Sequence, residues 1–278
     1  YNLLFRWFLD LNLESGGLDQ SNFSRLRERL VETDIARRFF DEVVRLARRD
    51  KLLSSDHFTV DGTLIDAWAS FKSFKRKNDD EPPKPGDGTG MVDFKGEKRS
   101  NATHQSTTDP EAKLMRKGNG QPARLSYGGH ALMENRSGLC VDLLITDATL
   151  AEHKAARQLL TRARRRRIHP KTLGADKGYH VKDFVQHLRE HKIKPHIARI
   201  DGRKTPGLDG RTSCTEGYKV SQRKRKRVEE IFGWLKTVGG MRKTRFIGEA
   251  RTQIAAYLSA AAYNLLRIAK LQSAGSAA

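Results

Sequence analysis

Hydrophobic spacing changes period several times along the chain, and the changes mark its elements. Residues 1 to about 50 carry helical spacing. Leu3, Leu4, Phe8 and Leu11 line one short apolar face, and Ser21 and Ser24 offer N-caps before Leu26 and Leu30. A longer helix over 34–50 turns Ile35, Phe39, Val43 and Leu46 inward and Arg37, Arg38, Arg48 and Arg49 outward. At Asp56 the pattern becomes β-prone. Residues 56–63 read as a short strand ending in Asp-Gly, with Asp61 at its end and Asp66 as the nearby competitor for any role given to it. Periodicity is lost from Phe71 to Gln121. The Pro-rich charged run 79–86 cannot form a regular element, and 72–105 is expected to be a flexible insertion within one domain.

Alternation returns in 125–133 and 139–146, a hairpin about the turn 135–138. A basic helix follows over 151–167, then a buried strand ending at Asp176, a helix over 181–191, a strand over 194–198 and a Gly-rich basic loop over 201–219. In 223–236, Val228, Ile231, Phe232 and Leu235 fall at i, i+3, i+4 and i+7, with Arg225, Glu229 and Lys236 on a stripe beside them. Gly233 lies between Glu229 and Lys236, where glycine costs about 1 kcal/mol relative to alanine, which suggests that something passes close. The last helix, 250–270, is apolar through Ala255, Ala256, Leu258, Ala261, Ala262, Leu265 and Leu266. Gln253, Asn264 and Arg267 interrupt it, as in a core helix rather than a membrane one. The alternation of strands and helices predicts an α/β fold.

Charge narrows the class. Lys and Arg number 53 against 33 Asp and Glu, a formal net charge of +20 over 278 residues. Such an excess predicts an anionic polymer as partner, nucleic acid before membrane, and no apolar stretch approaches the roughly 18 residues a spanning helix needs. Cys140 and Cys214 are far apart and fit a reducing compartment rather than a disulfide scaffold. The chain opens on Tyr1 in an apolar run, and its natural start is expected upstream. The arginines at 162 and 164–167 are favourable at a helix C-terminus and attractive to phosphate. The helices over 1–50 could form a nucleic-acid-binding module or a plain packing subdomain, and their pattern leaves both open.

Asp61 and Asp176 at strand ends and Glu229 on a helix could meet at one end of such a sheet. Three close carboxylates repel one another unless a cation neutralises them, and hard oxygen ligands suit Mg²⁺ or Mn²⁺ rather than zinc. Two such ions roughly 4 Å apart can activate a nucleophile and stabilise a leaving oxygen in phosphoryl transfer. Surplus Lys and Arg would hold the nucleic acid.

Three segments carry a resemblance: Val60-Asp61-Gly62-Thr63, Gly174-Ala175-Asp176-Lys177-Gly178-Tyr179, and Arg225-x3-Glu229-x6-Lys236. They are similar to the acidic motifs of DDE transposases of bacterial insertion sequences, more narrowly the insertion-sequence-five group. Ser106-Thr107-Thr108-Asp109-Pro110-Glu111-Ala112 and Phe232-Gly233-Trp234-Leu235-Lys236 strengthen the resemblance, which runs from about Asn22 to Arg267. It implies a ribonuclease H-like mixed sheet flanked by helices, with a catalytic domain over 56–272 and, over 1–55, an N-terminal helical region that is a candidate for DNA binding. It implies Asp61, Asp176 and Glu229 as catalytic metal ligands for Mg²⁺ or Mn²⁺, and DNA cleavage followed by strand transfer. In that scheme water attacks a phosphodiester at the element's end, and the released 3′-OH attacks target DNA in line, with no covalent protein–DNA intermediate. Arg225 and Lys236 match the basic positions flanking the family's glutamate. With Lys177, Arg223 and Arg227 they are the candidate DNA contacts. The implied partners are the element's terminal inverted repeats, target DNA and a second copy or more of the chain, without a membrane, in the bacterial cytoplasm at the nucleoid. One departure stands out: the related pattern often has Tyr three residues before the Arg, where this chain has Gln222.

Two rival readings keep the basic surface: a non-catalytic DNA-binding transposase remnant, and a metal-dependent nuclease without strand transfer. Intact acids at all three positions favour the transposase. His187-Leu188-Arg189-Glu190-His191 also fits an H-x-x-E-H zinc-peptidase pattern. It lies in a polar helix without a clear third ligand and reads as a solvated helix face. His130 and His153 read as structural.

Overall fold

The computed structural model describes residues 19–77, 92–94, 97–118 and 120–276. The chain divides into two compact units, residues 1–35 and 36–278. In the first, helix α1 (Gln20–Glu32) is capped by Asp19, whose carboxylate accepts from the Ser21 N–H at 2.7 Å. The serines expected to cap it lie inside the helix instead, because Asp19, two residues before Ser21, is as good a cap. The apolar face expected over Leu3–Leu11 lies outside the described residues.

Helix α2 (Ile35–Arg49), all but its first residue in the second unit, buries Ala36, Phe40, Val43, Val44 and Ala47. Phe39, expected inward, is 44% exposed, and Ile35 is 47% exposed. Phe40 takes the inward place: it packs on Tyr257 with ring centroids 5.7 Å apart, and the Arg166 guanidinium covers it.

One mixed sheet builds the core. Strand β1 (His57–Asp66) is its axis. On one side β1 pairs antiparallel with β7 (Arg124–Glu134) from Phe58 to Asp66, nearly its whole length, and β7 pairs antiparallel with β8 (Leu139–Asp147). On the other side β1 pairs in parallel with β9 (Thr172–Ala175), which pairs in parallel with β10 (Lys194–Ile197). The expected hairpin, the strand before Asp176 and the strand after it are all present, and β7 and β8 are buried almost throughout. Short β6 (Lys113–Met115) continues the sheet beside the start of β7. Within 72–105, β2 (Phe74–Arg76) pairs with β5 (His104–Ser106), and β3 (Val92–Phe94) pairs with β4 (Glu97–Arg99). The Pro-rich run 79–86 lies outside the described residues.

Helix α3 (Glu152–Arg165) packs on β1, β7 and β8 and also touches α4 (Lys182–Glu190). The basic loop before the third acidic motif is partly helical: α5 (Gly210–Ser213) precedes α6 (Glu216–Lys224). A tight 3-10 turn, Arg225–Arg227, leads into α7 (Val228–Thr237). The four apolar residues read from the spacing, Val228, Ile231, Phe232 and Leu235, are its buried ones. Helix α8 (Glu249–Ser276) lies against β8 and α7. No described helix is long and apolar enough to cross a membrane.

The polar interruptions of α8 have a task. Asn264 accepts from the Cys140 N–H at 2.9 Å and donates to the Cys140 carbonyl at 2.8 Å. Gln253 does the same for the Ile145 N–H and the Leu143 carbonyl, at 2.7 and 3.0 Å. Two side-chain amides therefore satisfy the outer edge of β8 as another strand would, which removes an open sheet edge. The start of α8 is held by Glu111, whose carboxylate accepts from the Glu249 N–H at 2.6 Å, and buried Asp109 accepts from the Tyr127 hydroxyl at 2.6 Å. The 106–112 segment is thus a clamp between β7 and α8.

The arginine run closing α3 is only partly free. Buried Asp142 is paired with Arg162 at 2.9 Å and Arg166 at 3.1 Å, and Arg166 also pairs with Asp41 at 2.6 Å. Arg164, Arg165 and Arg167 are exposed. Asn264→Leu should strand a buried N–H and carbonyl of Cys140 and cost about 1–3 kcal/mol, measured by urea unfolding. A smaller loss would mean that water reaches that edge.

Candidate active site

The parallel pairing of β1 with β9 ends at Thr59 opposite Gly174. Two residues further along each chain stand Asp61 and Asp176, so the register brings the two acids level where β9 turns away. Asp61 was expected at a strand end. It lies instead inside a ten-residue strand, opposite Ala131 of β7. The antiparallel partner carries β1 on to Asp66, so only its β9 side ends here. Asp66 is occupied elsewhere, 2.7 Å from Arg124, and its backbone pairs with the segment at Lys243.

Each aspartate is fixed by the glycine behind it. Asp61 accepts from the Gly62 N–H at 2.8 Å. Asp176 caps the 3-10 turn Lys177–Tyr179 and accepts from the Gly178 N–H at 2.8 Å. Burial pushes Asp61 up to about 6. The Gly62 N–H and Arg225 oppose that rise, and Asp176 and Glu229 add to it. Glu229 is exposed in the first turn of α7, near enough for its charge to act on Asp61.

Neighbouring residues of a strand point to opposite faces. Thr63 bonds Lys236 of α7: the Lys236 ammonium donates to its hydroxyl at 2.6 Å. A Cβ on Gly62 would instead meet Glu152 of α3 at 2.9 Å. Helices α7 and α3 thus cover opposite faces of β1 at this point, and Asp61 shares the α7 face with Thr63. Burial lowers the pKa of Lys236, as do Lys117 and Arg242, with Asp66 acting the other way.

Gln222, where the related pattern has tyrosine, accepts from the Arg225 Nε at 3.0 Å and donates to the His196 carbonyl. It ties the 3-10 turn to β10. Gly174 leaves room for that turn, since a Cβ there would lie 3.2 Å from the Arg225 Cβ. Of the other basic candidates, Lys177 is exposed and Arg223 is an exposed side chain 3.8 Å from Glu216. Arg227 serves the hairpin turn, donating to the carbonyls of Asn135 and Arg136 at 2.8 and 2.9 Å. Beyond its own helical turn, none of the described residues lies within 4 Å of a Cβ placed on Gly233, so the close neighbour expected there is not among them.

Sequence reading missed Glu152. It stands in the first turn of α3, and burial together with the charges of Asp176 and Asp61 pushes it up to about 7. A glutamate at a helix N-terminus is ordinary, so its own position gave no signal. The glycines following the two aspartates were the available one.

Among the described residues, His187, Glu190 and His191 are the one group of three whose ligand atoms all lie within 4.8 Å. Asp61, Asp176 and Glu229 do not form such a group of three. Glu190 supplies the third ligand atom that the histidine motif lacked on paper, and His187 is nearly buried rather than solvated. Burial and the positive charges of Arg157 and Arg164 hold His187 below its usual pKa, and those same charges repel a cation. His130 is buried and bonded to Thr146, as expected of a structural histidine.

No curated protein matches the chain. Among solved structures, a piggyBac transposase synaptic complex with hairpin DNA is similar at a TM-score of 0.39 and 12% identity, over 89% of this chain and 55% of that one. A Mos1 transposase paired-end complex with left transposon end is similar at 0.27 and 11%, over 94% and 69%. The chain thus spans about half the length of the piggyBac chain. Residues 98–265, more than half of the sequence, match the transposase DDE domain, and the chain belongs to that family.

Proposed function

We propose that this chain is a transposase of a bacterial insertion sequence, in the insertion-sequence-five group, with a ribonuclease H-like core. In this reading residues 56–272 form the catalytic domain, and 1–55 contribute to DNA binding. Asp61, Asp176 and Glu229 hold Mg²⁺ or Mn²⁺ for DNA cleavage and strand transfer. The observation that carries the reading is the register of β1 and β9, which sets Asp61 level with Asp176 and within the field of Glu229 and Arg225. The partners are the ends of the element, target DNA and further copies of the chain.

The donor set fits a hard divalent cation: all three groups are carboxylates, and burial of Asp61 carries a cost that a cation would offset. Bound there, the cation would supply electrostatic stabilisation to the phosphate oxygens in the transition state. The chain's own residues do the rest. The Gly62 and Gly178 N–H groups orient the aspartates. Arg225, braced by Gln222, offers a guanidinium to the phosphate beside the scissile bond. Lys236, anchored on Thr63, adds a second charge along the strand. Exposed Lys177, Arg223, Arg164 and Arg165 extend the basic surface along the DNA.

Replacing Asp61, Asp176 or Glu229 by Ala should lower Mg²⁺-dependent cleavage of DNA bearing the element's ends by about a thousandfold or more, with DNA affinity little changed. Full activity in any one variant removes that residue from the site. Gln222→Leu should release Arg225 and reduce cleavage by about ten- to a hundredfold, and an unchanged rate would show that the brace is dispensable.

Stability should follow pH with a definite sign. The carboxyl of Asp61 is easier to protonate folded than unfolded, so its contribution is fully present below about 4 and is lost as pH rises through about 6. In cation-free buffer, Asp61→Asn should therefore gain stability relative to the parent between these values and hold the gain above them. Parallel urea-midpoint curves for the two proteins would contradict the burial of this carboxyl.

A further inference from the structure

Helix α4 has a second face besides the one that enters the core. Phe184, Val185 and Leu188 are fully buried. Beside them His187, Glu190 and His191 follow at i, i+3 and i+4, on the last turn of the helix and its C-cap. One ligand atom from each lies within 4.8 Å of the other two, and the two imidazole rings stand 4.2 Å apart between centroids. A metal ion with donors about 2.1 Å away spans donor atoms about 3.4 Å apart, so small rotations of these side chains close the gap. The H-x-x-E-H pattern is thereby three donors on a single turn.

The neighbouring bonds orient these donors and leave them open. His191 donates from Nδ1 to the His187 carbonyl at 2.8 Å, so Nε2 of the neutral ring carries the lone pair. Gln186 donates to Glu190 Oε1 at 2.9 Å, which steadies the carboxylate and leaves Oε2. His187 is only 9% exposed, and none of the hydrogen bonds among the described residues uses its ring nitrogens. Arg189, the cation inside the motif, is anchored on the 207–212 loop instead: it donates to the Gly207 carbonyl at 2.9 Å and the Thr212 hydroxyl at 2.7 Å. Arg157 and Arg164 act against a cation at His187, whereas Glu190 acts for one, and so does the negative end of the helix dipole at this last turn. Burial and the two arginines keep His187 neutral, and the neutral imidazole is the form that binds a metal.

We propose that the last turn of α4 is a zinc site, in which His187, Glu190 and His191 hold one Zn²⁺ and water fills the fourth position. Two imidazoles and one carboxylate are a borderline donor set, which suits zinc and suits Mg²⁺ poorly. The all-carboxylate set beside β1 and β9 selects the other way, so the two sites share no residue and do not compete for one ion. Zinc binding at α4 therefore stands apart from the transposase reading. The ion ties down the turn through which the chain passes, by way of left-handed Lys192, from α4 into β10. Strand β10 is the one whose His196 carbonyl holds Gln222.

The test is calorimetric titration of the metal-stripped full chain with Zn²⁺ in excess Mg²⁺, which keeps hard carboxylates occupied. Co²⁺ replaces Zn²⁺ for a visible spectrum, and the thermal midpoint is followed in parallel. Parent, His191→Ala, Glu190→Gln and Asp61→Asn are compared. His187 is left in place because it is buried, whereas His191 is half-buried and Glu190 exposed, so their variants keep the fold and an ion-free midpoint like the parent's. The expected result is one Zn²⁺ per chain in the parent and in Asp61→Asn, bound about tenfold or more weakly in His191→Ala and Glu190→Gln. Zn²⁺ should raise the midpoint of the parent and leave that of His191→Ala nearly unchanged, and the Co²⁺ bands of the parent should be lost in His191→Ala. Equal binding by the parent and both α4 variants, or none by the parent, would overturn the site. Lost binding in Asp61→Asn with His191→Ala unaffected would also overturn it, by placing the ion among the strand-end carboxylates.

Discussion

A parallel strand pair that stops early governs this molecule. Strand β1 has an antiparallel partner over nearly its whole length, whereas β9 leaves it after Thr59 and Gly174. At that point β1 keeps its place in the sheet but loses a neighbour. The chain after β9 folds into the 3-10 turn at Lys177–Tyr179, and the first turn of α3 and the Arg225 turn close in from the two faces. Carboxylates could not be set side by side in the middle of a fully paired sheet without long side chains and free space. The end of a parallel pair provides that space beside a rigid backbone, and strand ends of this kind are where open α/β sheets place their ligands.

The excess of positive charge divides into two populations. Arg162 and Arg166 neutralise buried Asp142, Arg227 braces the hairpin turn, and Arg124 pairs with Asp66. These guanidinium groups are part of the architecture. Removing Arg162, Arg166 or Arg227 would weaken the pairing of a buried charge or leave a bare carbonyl, with little direct effect on a partner. Arg164, Arg165, Arg167, Lys177 and Arg223 are exposed, and this population sets the field felt by an approaching polyanion. Arg225 belongs to both, since it is bonded to Gln222 and also acts on Asp61.

Local features of the fold were legible from the residues because they depend on local periodicity. The β7–β8 hairpin, α3, α4 and the apolar face of α7 all follow from spacing that any short window contains. What spacing could not reveal is which neighbour a residue meets. Asp-Gly at 61–62 reads as a turn, yet it lies in a strand because β7 pairs straight through it. Its glycine answers to Glu152, ninety residues along the chain. The inward face of α2 was misjudged for the same reason, since Phe39 and Phe40 differ only in which of them meets Tyr257. Gln253 and Asn264 looked like blemishes on an apolar helix until the edge of β8 lay beside them.

Gln222 shows how far a motif can be read as chemistry. A tyrosine at that place would offer a hydroxyl, and its replacement could be taken as the loss of a functional group. Here the amide uses both of its ends, one on Arg225 and one on the backbone of β10, which a single hydroxyl at the same reach could do only by giving and accepting in the same two directions. The position therefore acts through the arginine it steadies, and its chemistry is that of a brace. The same logic applies to the glycines at 62 and 178. They carry no side chain, yet each combines a backbone donor for one acid with clearance for another. In this site the residues that decide where charge can gather are the ones without charge, and the acids occupy the positions that those residues leave open.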